Sequence, residues 1–172
     1  RLVVPGWSGN NWQKWVRRIV VAREEAPGFY MQTAYRLPRT PLAPGDDPAK
    51  VPLDPVAWMN VKSLITRPER GGVLPAGPVE VRGIAWTGRG HVTRVDVRID
   101  GEDRWLPATL LGDAEPGAWR PWRLTWEAPT RGRHLIAARS TDSTGQVQPE
   151  SPAWNRSGYL WNGFDTVDCE IR

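Results

Sequence analysis

The chain has 172 residues, enough for one domain with a real core or one domain plus a piece of another, and its 40% hydrophobic and 24% charged content is that of a globular protein. Its net charge of +4 is almost wholly arginine, with Lys only at 14, 50 and 62, but the basic residues alternate with acids (Glu69 and Arg70, Arg94 and Asp96, Arg98 and Asp100), which excludes a nucleic-acid footprint and reads as solvated sheet faces. The lone Cys169 excludes an internal disulfide, no apolar run reaches the ~18 residues of a membrane-spanning helix, and eleven Trp must fill a core, cover an interface or stack on a ligand.

The chain opens with RLVVPGWSGNNWQKWVRRIVV, residues 1–21. Pro5 and Gly6 break a first apolar strand, and a Gly9-Asn10-Asn11 loop follows. Trp12, Gln13, Lys14 and Trp15 then lead into a second apolar strand over Ile19 to Val21. A loop of this make-up exposes backbone N–H groups beside a cation, which suits an anionic group. Phe29 to Arg36 is an aromatic segment, and residues 1–36 are too short to bury a core alone. Residues 37–56 hold six prolines and almost no periodicity, which predicts an extended linker or surface arm.

Residues 57–66 read as a strand ended by Pro68, and Pro75 to Pro78 turns the chain into a run of short strands. Val79 and Val81 alternate with Glu80 and Arg82, and Val95, Val97 and Ile99 alternate with Arg94, Asp96, Arg98 and Asp100. That is the period of a half-buried antiparallel strand. Asp100-Gly101 signals a hairpin, with Trp105 opening the returning strand. Trp122, Leu124 and Trp126 alternate, His134 to Ser140 follow Gly132, Asp142 to Gly145 turn, and Val167, Cys169 and Ile171 alternate to the end. Short strands at this spacing over roughly a hundred residues predict a mostly β protein with an immunoglobulin-like sandwich, a small barrel being the alternative.

His91 and His134 are the only histidines, and no spaced His, Cys and Asp cluster accompanies them, so no metal site is predicted. No nucleophile elbow, phosphate loop, dinucleotide fingerprint or paired carboxylates occur. Lys14, set between two Trp, and Tyr35, beside Arg36, are each compatible with a plain structural role or with an oxyanion contact. Trp119, Trp122 and Trp126, and Trp154 and Trp161, suggest a packed interface or core, or else a carbohydrate platform.

Several segments in order resemble the sulfite oxidase family of molybdoenzymes. RLVVPGWSGNNWQKWVRRIVV looks like the end of that family's molybdenum-cofactor domain, where a V-P-G…G…K-W-L stretch contacts the cofactor. VKSLITRPERG resembles the start of its C-terminal domain, and GIAWTGRGHVTRVDVRIDGEDRW its G-x-A-W-S-G-G-G…R-V-D-V-S-x-D-G-G-x-T-W signature. AWRPWRLTWEAP, ARSTDSTGQVQPESPAWN and GYLWNGFDTVDCEI complete the resemblance to its dimerisation domain.

The resemblance implies an oxidoreductase whose molybdenum, held by a pterin dithiolene and one Cys, oxidises sulfite and passes electrons to a c-type cytochrome or another acceptor. It divides the chain into the end of an α+β molybdenum-cofactor domain (1–36), a Pro-rich linker (37–59) and an immunoglobulin-like dimerisation domain (60–172). Trp12, Gln13 and Lys14 match the stretch that holds molybdopterin, although the family often has His-Val-Lys there, so only the Lys is kept. Tyr35 matches the active-site Tyr.

The metal's Cys ligand and its neighbouring arginines are expected before Arg1, with Cys169 not that ligand. This part of the enzyme would then be inactive without the rest of it. Where the animal and plant enzymes carry W-N-L-R-G, with an Arg that reaches substrate, this chain has Trp154-Asn155-Arg156-Ser157-Gly158. Arg156 is then the candidate substrate contact, displaced by one position, which reverses a side chain's direction along an extended segment. That departure leaves room for a sulfane dehydrogenase-like enzyme. The implied partners are the rest of the same enzyme, a second copy in a homodimer and the electron acceptor; a bacterial source would favour the periplasm. The rival reading is a non-catalytic dimerisation or interaction module.

Overall fold

Alternation of apolar and polar side chains organises the second half of the chain into strands. The computed structural model describes residues 1–127 and 129–172; Ala128, inside AWRPWRLTWEAP, lies outside the described residues. A 3-10 turn at Gly9–Asn11, the one-turn helix α1 (Phe29–Gln32) and strand β1 (Arg36–Pro38) come first. A 3-10 turn at Pro48–Lys50, whose Asp47 cap accepts from the Ala49 N–H, leads into β2 (Leu53–Pro55). There follow β3 (Lys62–Arg67), β4 (Gly72–Leu74), β5 (Val79–Trp86), β6 (Val92–Ile99) and β7 (Leu106–Pro107). The last four are β8 (Thr109–Leu110), β9 (Arg120–Trp126), β10 (Gly132–Asp142) and β11 (Asp165–Ile171).

Two sheets face each other, one in the order β3-β5-β9-β8 and the other β4-β11-β10-β6-β7. Every neighbouring pair is antiparallel except β4, which runs parallel to β11. This is immunoglobulin topology: the first strand starts on one sheet as β3 and, after Pro68, switches to the edge of the other as β4. Val81, Val95, Val97, Trp122, Ile136, Ala138 and Ile171 form the core between the sheets. Trp122 pairs in register with Gly83, and a Cβ on Gly83 would collide with the indole ring and with the Leu64 carbonyl. Glycine at that point lets the largest core side chain lie against the neighbouring strand. Burying such a ring contributes about 3–5 kcal/mol relative to alanine.

The strands expected from alternation form, with local corrections. Asp100 and Gly101 both take positive φ (52° and 71°), as a primed turn requires, but the returning strand opens at Leu106. Trp105 instead lies on the outer face of the larger sheet, its ring 4.0 Å from the Arg139 guanidinium and 5.2 Å from the Phe164 ring. The strand expected over 57–66 begins at Lys62, because Trp58 is already paired with Trp7. Ile19–Val21 is not a strand; its apolar side chains are exposed and no described strand lies beside it. The proline-rich stretch is not extended throughout: β1 and β2 pair antiparallel across it, with Arg36 opposite Pro55 and Pro38 opposite Leu53. Prolines are tolerated there because both strands are edges.

Candidate active site

The opening loop is tied to the sandwich through main chain. Gly6, at φ +79°, accepts the Met59 N–H at 2.9 Å, and Met59 in turn accepts the Gly88 N–H at 2.9 Å. A Cβ on Gly88 would lie 2.5 Å from Gly6 O and from Met59 N, so neither glycine has room for a side chain. Ser8 donates its N–H to Ala57 O at 2.7 Å, and Asn11 Nδ2 donates to Val56 O at 3.0 Å. The Trp7 and Trp58 rings meet at 5.3 Å beside this seam. The Gly/Asn loop expected to cradle an anion is therefore turned toward the sandwich. Two of its N–H groups, those of Asn11 and Trp12, are taken by Ser8 O and Gly9 O.

Trp12 donates its indole N–H to Val4 O at 3.0 Å, and Gln13 Nε2 donates to Asn10 O at 3.0 Å, so both side chains brace the loop that carries Lys14. Lys14 is exposed and lines an open groove of about 630 Å³ with Gln13, Arg17 and Arg18 on its polar side and Leu2, Trp15, Val16 and Ile19 on its apolar side. Trp15 takes φ 56° and holds its ring out in solvent. A lysine and two arginines on one side of a groove are donors compatible with an anionic group. Arg17 and Arg18 carry no motif role of their own; their closeness to Lys14 in the chain is the signal for them.

Tyr35 lies at the other end of this segment. Its φ of 52° is unusual for a residue with a side chain, and it is held on several sides. Its carbonyl accepts the Val56 N–H at 2.7 Å, and its own N–H reaches the Tyr159 hydroxyl at 3.4 Å. Its ring stacks on Tyr159, with centroids 5.2 Å apart and planes 28° from parallel, and Tyr30 lies 6.0 Å away. Arg36 points away from this cluster toward Glu25, an ion pair, and toward Met31 O at 2.7 Å.

Tyr159 belongs to the long loop between β10 and β11, which amide side chains fasten at both ends. Gln148 is buried between the sheets: its Oε1 accepts the Ser63 N–H at 2.7 Å and the Ser140 N–H at 3.2 Å, and its Nε2 donates to Gly163 O at 2.8 Å. Asn60 Nδ2 donates to Leu160 O at 2.9 Å, and Asn162 Nδ2 to Val61 O at 3.1 Å. Asn155 and Tyr159 clamp each other, Tyr159 N–H to Asn155 Oδ1 at 2.9 Å and Asn155 Nδ2 to Tyr159 O at 3.0 Å.

Arg156 and Ser157 are the central residues of a turn closed by the Gly158 N–H on Asn155 O at 3.0 Å. The segment is thus not extended, and the side-chain reversal expected for Arg156 does not apply: a turn presents both central residues outward. Arg156 and Ser157 are exposed along one groove of about 840 Å³, with Arg39, Trp154, Tyr159 and Trp161 among its walls. Tyr35 packs on the Tyr159 ring, and Tyr159 is one wall of the groove that bears Arg156; Tyr35 itself is not among that groove's walls. Tyr159 lies in the GYLWNGFDTVDCEI segment, but that resemblance assigns it no role of its own.

Cys169 is buried in β11, and that burial, followed by the negative charges of Asp100 and Asp168, pushes its thiol up, away from a reactive or metal-ligating thiolate. Among the described residues, no three His, Cys, Asp or Glu side chains gather to hold a metal ion, and no helix is long and apolar enough to cross a membrane.

Residues 54–171 match the family model of the Mo-co oxidoreductase dimerisation domain, and residues 1–30 match that of the oxidoreductase molybdopterin binding domain. Chicken (Gallus gallus) sulfite oxidase is 37% identical over 167 residues, covering 93% of this chain and 36% of its own length. The NADH nitrate reductase of Solanum lycopersicum is 32% identical, covering 99% of this chain and 21% of its own length. The sulfane dehydrogenase SoxCD of Paracoccus pantotrophus superposes with a TM-score of 0.77 at 30% identity, over 99% of this chain and 46% of that one. The chain spans 36% or less of the length of these two curated relatives. With the dimerisation-domain match taking in more than half of its sequence, the chain belongs to the sulfite oxidase family of molybdenum-cofactor oxidoreductases.

Proposed function

We propose that this chain is the C-terminal part of an enzyme that oxidises sulfite or a related sulfur compound. In this reading residues 1–36 finish the cofactor domain, 37–59 join it to the sandwich, and 60–172 form the dimerisation domain through which two copies pair. The observation that carries it is the stacking of Tyr35 on Tyr159, a residue that also lines the groove bearing Arg156. A tyrosine from the cofactor segment and an arginine-bearing groove from the sandwich are then parts of one oxyanion site.

The donor set around Lys14 fits molybdopterin, an anionic cofactor: Lys14, with Gln13, Arg17 and Arg18, would hold it, and Trp12 would brace their loop. When bound, the cofactor supplies oxygen-atom transfer, by which sulfite takes one oxygen from water and releases two electrons and two protons. The chain's own side chains supply the rest. Lys14 offsets cofactor charge, Tyr35 orients the substrate oxyanion by hydrogen bonding, and Arg156 raises the positive potential at the groove mouth. The electrons would leave to a c-type cytochrome or another acceptor.

The test uses the full-length protein from its native host. Molybdenum at about one atom per protomer, with sulfite-dependent reduction of a c-type cytochrome, is the expected result. Tyr35→Phe should slow turnover roughly tenfold or more by removing the hydroxyl donor. A metal-free protein inert toward sulfite would return the chain to a non-catalytic dimerisation module. A second reading rests on Ser157, which stands where the animal and plant enzymes carry Arg, and on the 30%-identical sulfane dehydrogenase. It predicts turnover of a sulfane-sulfur substrate in preference to sulfite.

A further inference from the structure

We infer that Tyr159 is a positioning residue for Tyr35: the sandwich supplies the aromatic face against which the active-site ring is held. This rests on the role given to Tyr35 above. Tyr35 sits in a left-handed backbone conformation that a residue with a side chain adopts reluctantly, so its surroundings must hold it there. One support is local to the hairpin, the Val56 N–H on Tyr35 O. The other comes from a residue 124 positions later in sequence: the Tyr159 hydroxyl accepts the Tyr35 N–H while its ring covers a face of the Tyr35 ring.

Tyr159 is rigid enough for the task. Asn155 pins both its N–H and its carbonyl, and Gly158 and Leu160 on either side take positive φ (67° and 54°). Asn60 holds Leu160 O from β3's side of the sandwich. A ring stacked on a fixed neighbour is restrained about its first side-chain torsion, so the Tyr35 hydroxyl is held in one orientation for the oxyanion contact proposed above. Docking of the sandwich and preorganisation of the site are then one event.

The experiment compares Tyr159→Ala, Tyr159→Phe, Tyr35→Phe and the double variant Tyr35→Phe/Tyr159→Ala in the full-length molybdenum-loaded enzyme. It reads kcat and KM for sulfite, and sulfate affinity by calorimetry without turnover. Molybdenum content and melting temperature report folding. Tyr159→Ala is expected to lower kcat roughly tenfold and to weaken sulfate binding, with Tyr159→Phe recovering most of the loss because the stack survives. In the Tyr35→Phe background the Tyr159→Ala change should cost little more, since the hydroxyl it positions is already gone. A wild-type Tyr159→Ala beside a slow Tyr35→Phe overturns the inference alone, as does a Tyr159→Ala loss that persists in full without the Tyr35 hydroxyl. A Tyr35→Phe enzyme as fast as wild type overturns the reading of Tyr35 itself, and the inference with it. Should Tyr159→Ala not fold, failure of Tyr159→Leu to fall below Tyr159→Phe in sulfate affinity overturns the stacking role.

Discussion

His134 shows how a single residue sets a pH dependence. It is buried, and both ring nitrogens face acceptors: Nδ1 lies 2.7 Å from Asp100 Oδ2 and Nε2 lies 2.7 Å from Thr130 O. Both acceptors are satisfied together only when both ring nitrogens carry protons, so this arrangement favours the imidazolium. Burial alone would pull its pKa down, but the Asp100 hydrogen bond, the Thr130 carbonyl and the Asp100 charge outweigh that and raise it. The folded value therefore lies above the unfolded one of about 6.5. The stabilisation is complete below that unfolded value and is lost as pH rises through the folded one. Thermal unfolding from pH 5.5 to pH 9 should show stability falling by roughly 1–2 kcal/mol on the alkaline side, and His134→Gln should flatten the profile. An identical slope in the variant would remove His134 from the account. In sequence this histidine was one of two without a cluster, and nothing local marked it: its partners lie across a turn and a strand.

Among elements, the strands with strict alternation were legible and the short ones were not. The long strands β5, β6, β9 and β11 carry the period-two pattern that sheets with one buried face impose, whereas β10 is an apolar run over Leu135 to Ala138 marked in sequence by the Gly132 before it. β4, β7 and β8 have only two or three residues each, and β4 exists because the last strand passes beside it in parallel. No periodicity can reveal a partner of that kind. The β10–β11 loop was legible as turn-rich, but its fastening was not, because buried amides have no sequence period. Gln148 is the main fastening, joining β3 to β10 across the sandwich and holding Gly163 at the loop's far end. Gln148→Leu keeps the bulk but strands the Ser63 and Ser140 N–H groups and the Gly163 carbonyl. It should destabilise the protein by about 3 kcal/mol in urea unfolding. It should also loosen the groove bearing Arg156 and Tyr159, and a variant as stable as wild type would show that water replaces the amide without penalty. Of the candidate site, Lys14, Tyr35 and Arg156 are suggested by family motifs and Arg17 and Arg18 by their closeness to Lys14, whereas the stacking of Tyr159 on Tyr35 emerges only when the loops are folded.

The whole molecule depends on the seam where residues 6–11 meet residues 56–59 and Gly88. Gly88→Ala places a methyl against Gly6 O and the Met59 backbone. The change should cost roughly 1–3 kcal/mol. Hydrogen exchange at the Ser8 and Met59 amides should quicken by at least about tenfold as the seam opens, while amides in β5 and β10 keep their protection. Unchanged exchange at those two amides would mean that the seam is held elsewhere. The bonds at Met59 and Gly88 run from backbone to backbone, so beyond Met59 the joint reads chiefly the absence of a side chain at Gly88, whereas Trp7, Asn11 and Trp58 add side-chain contacts on the near side. Two such parts can diverge independently in sequence and still dock in the same pose. The joint therefore acts as a standard coupling: a sandwich from a distant relative, grafted behind this chain's Met59 with its own glycine at the Gly88 position, should seat on the same opening segment without redesign.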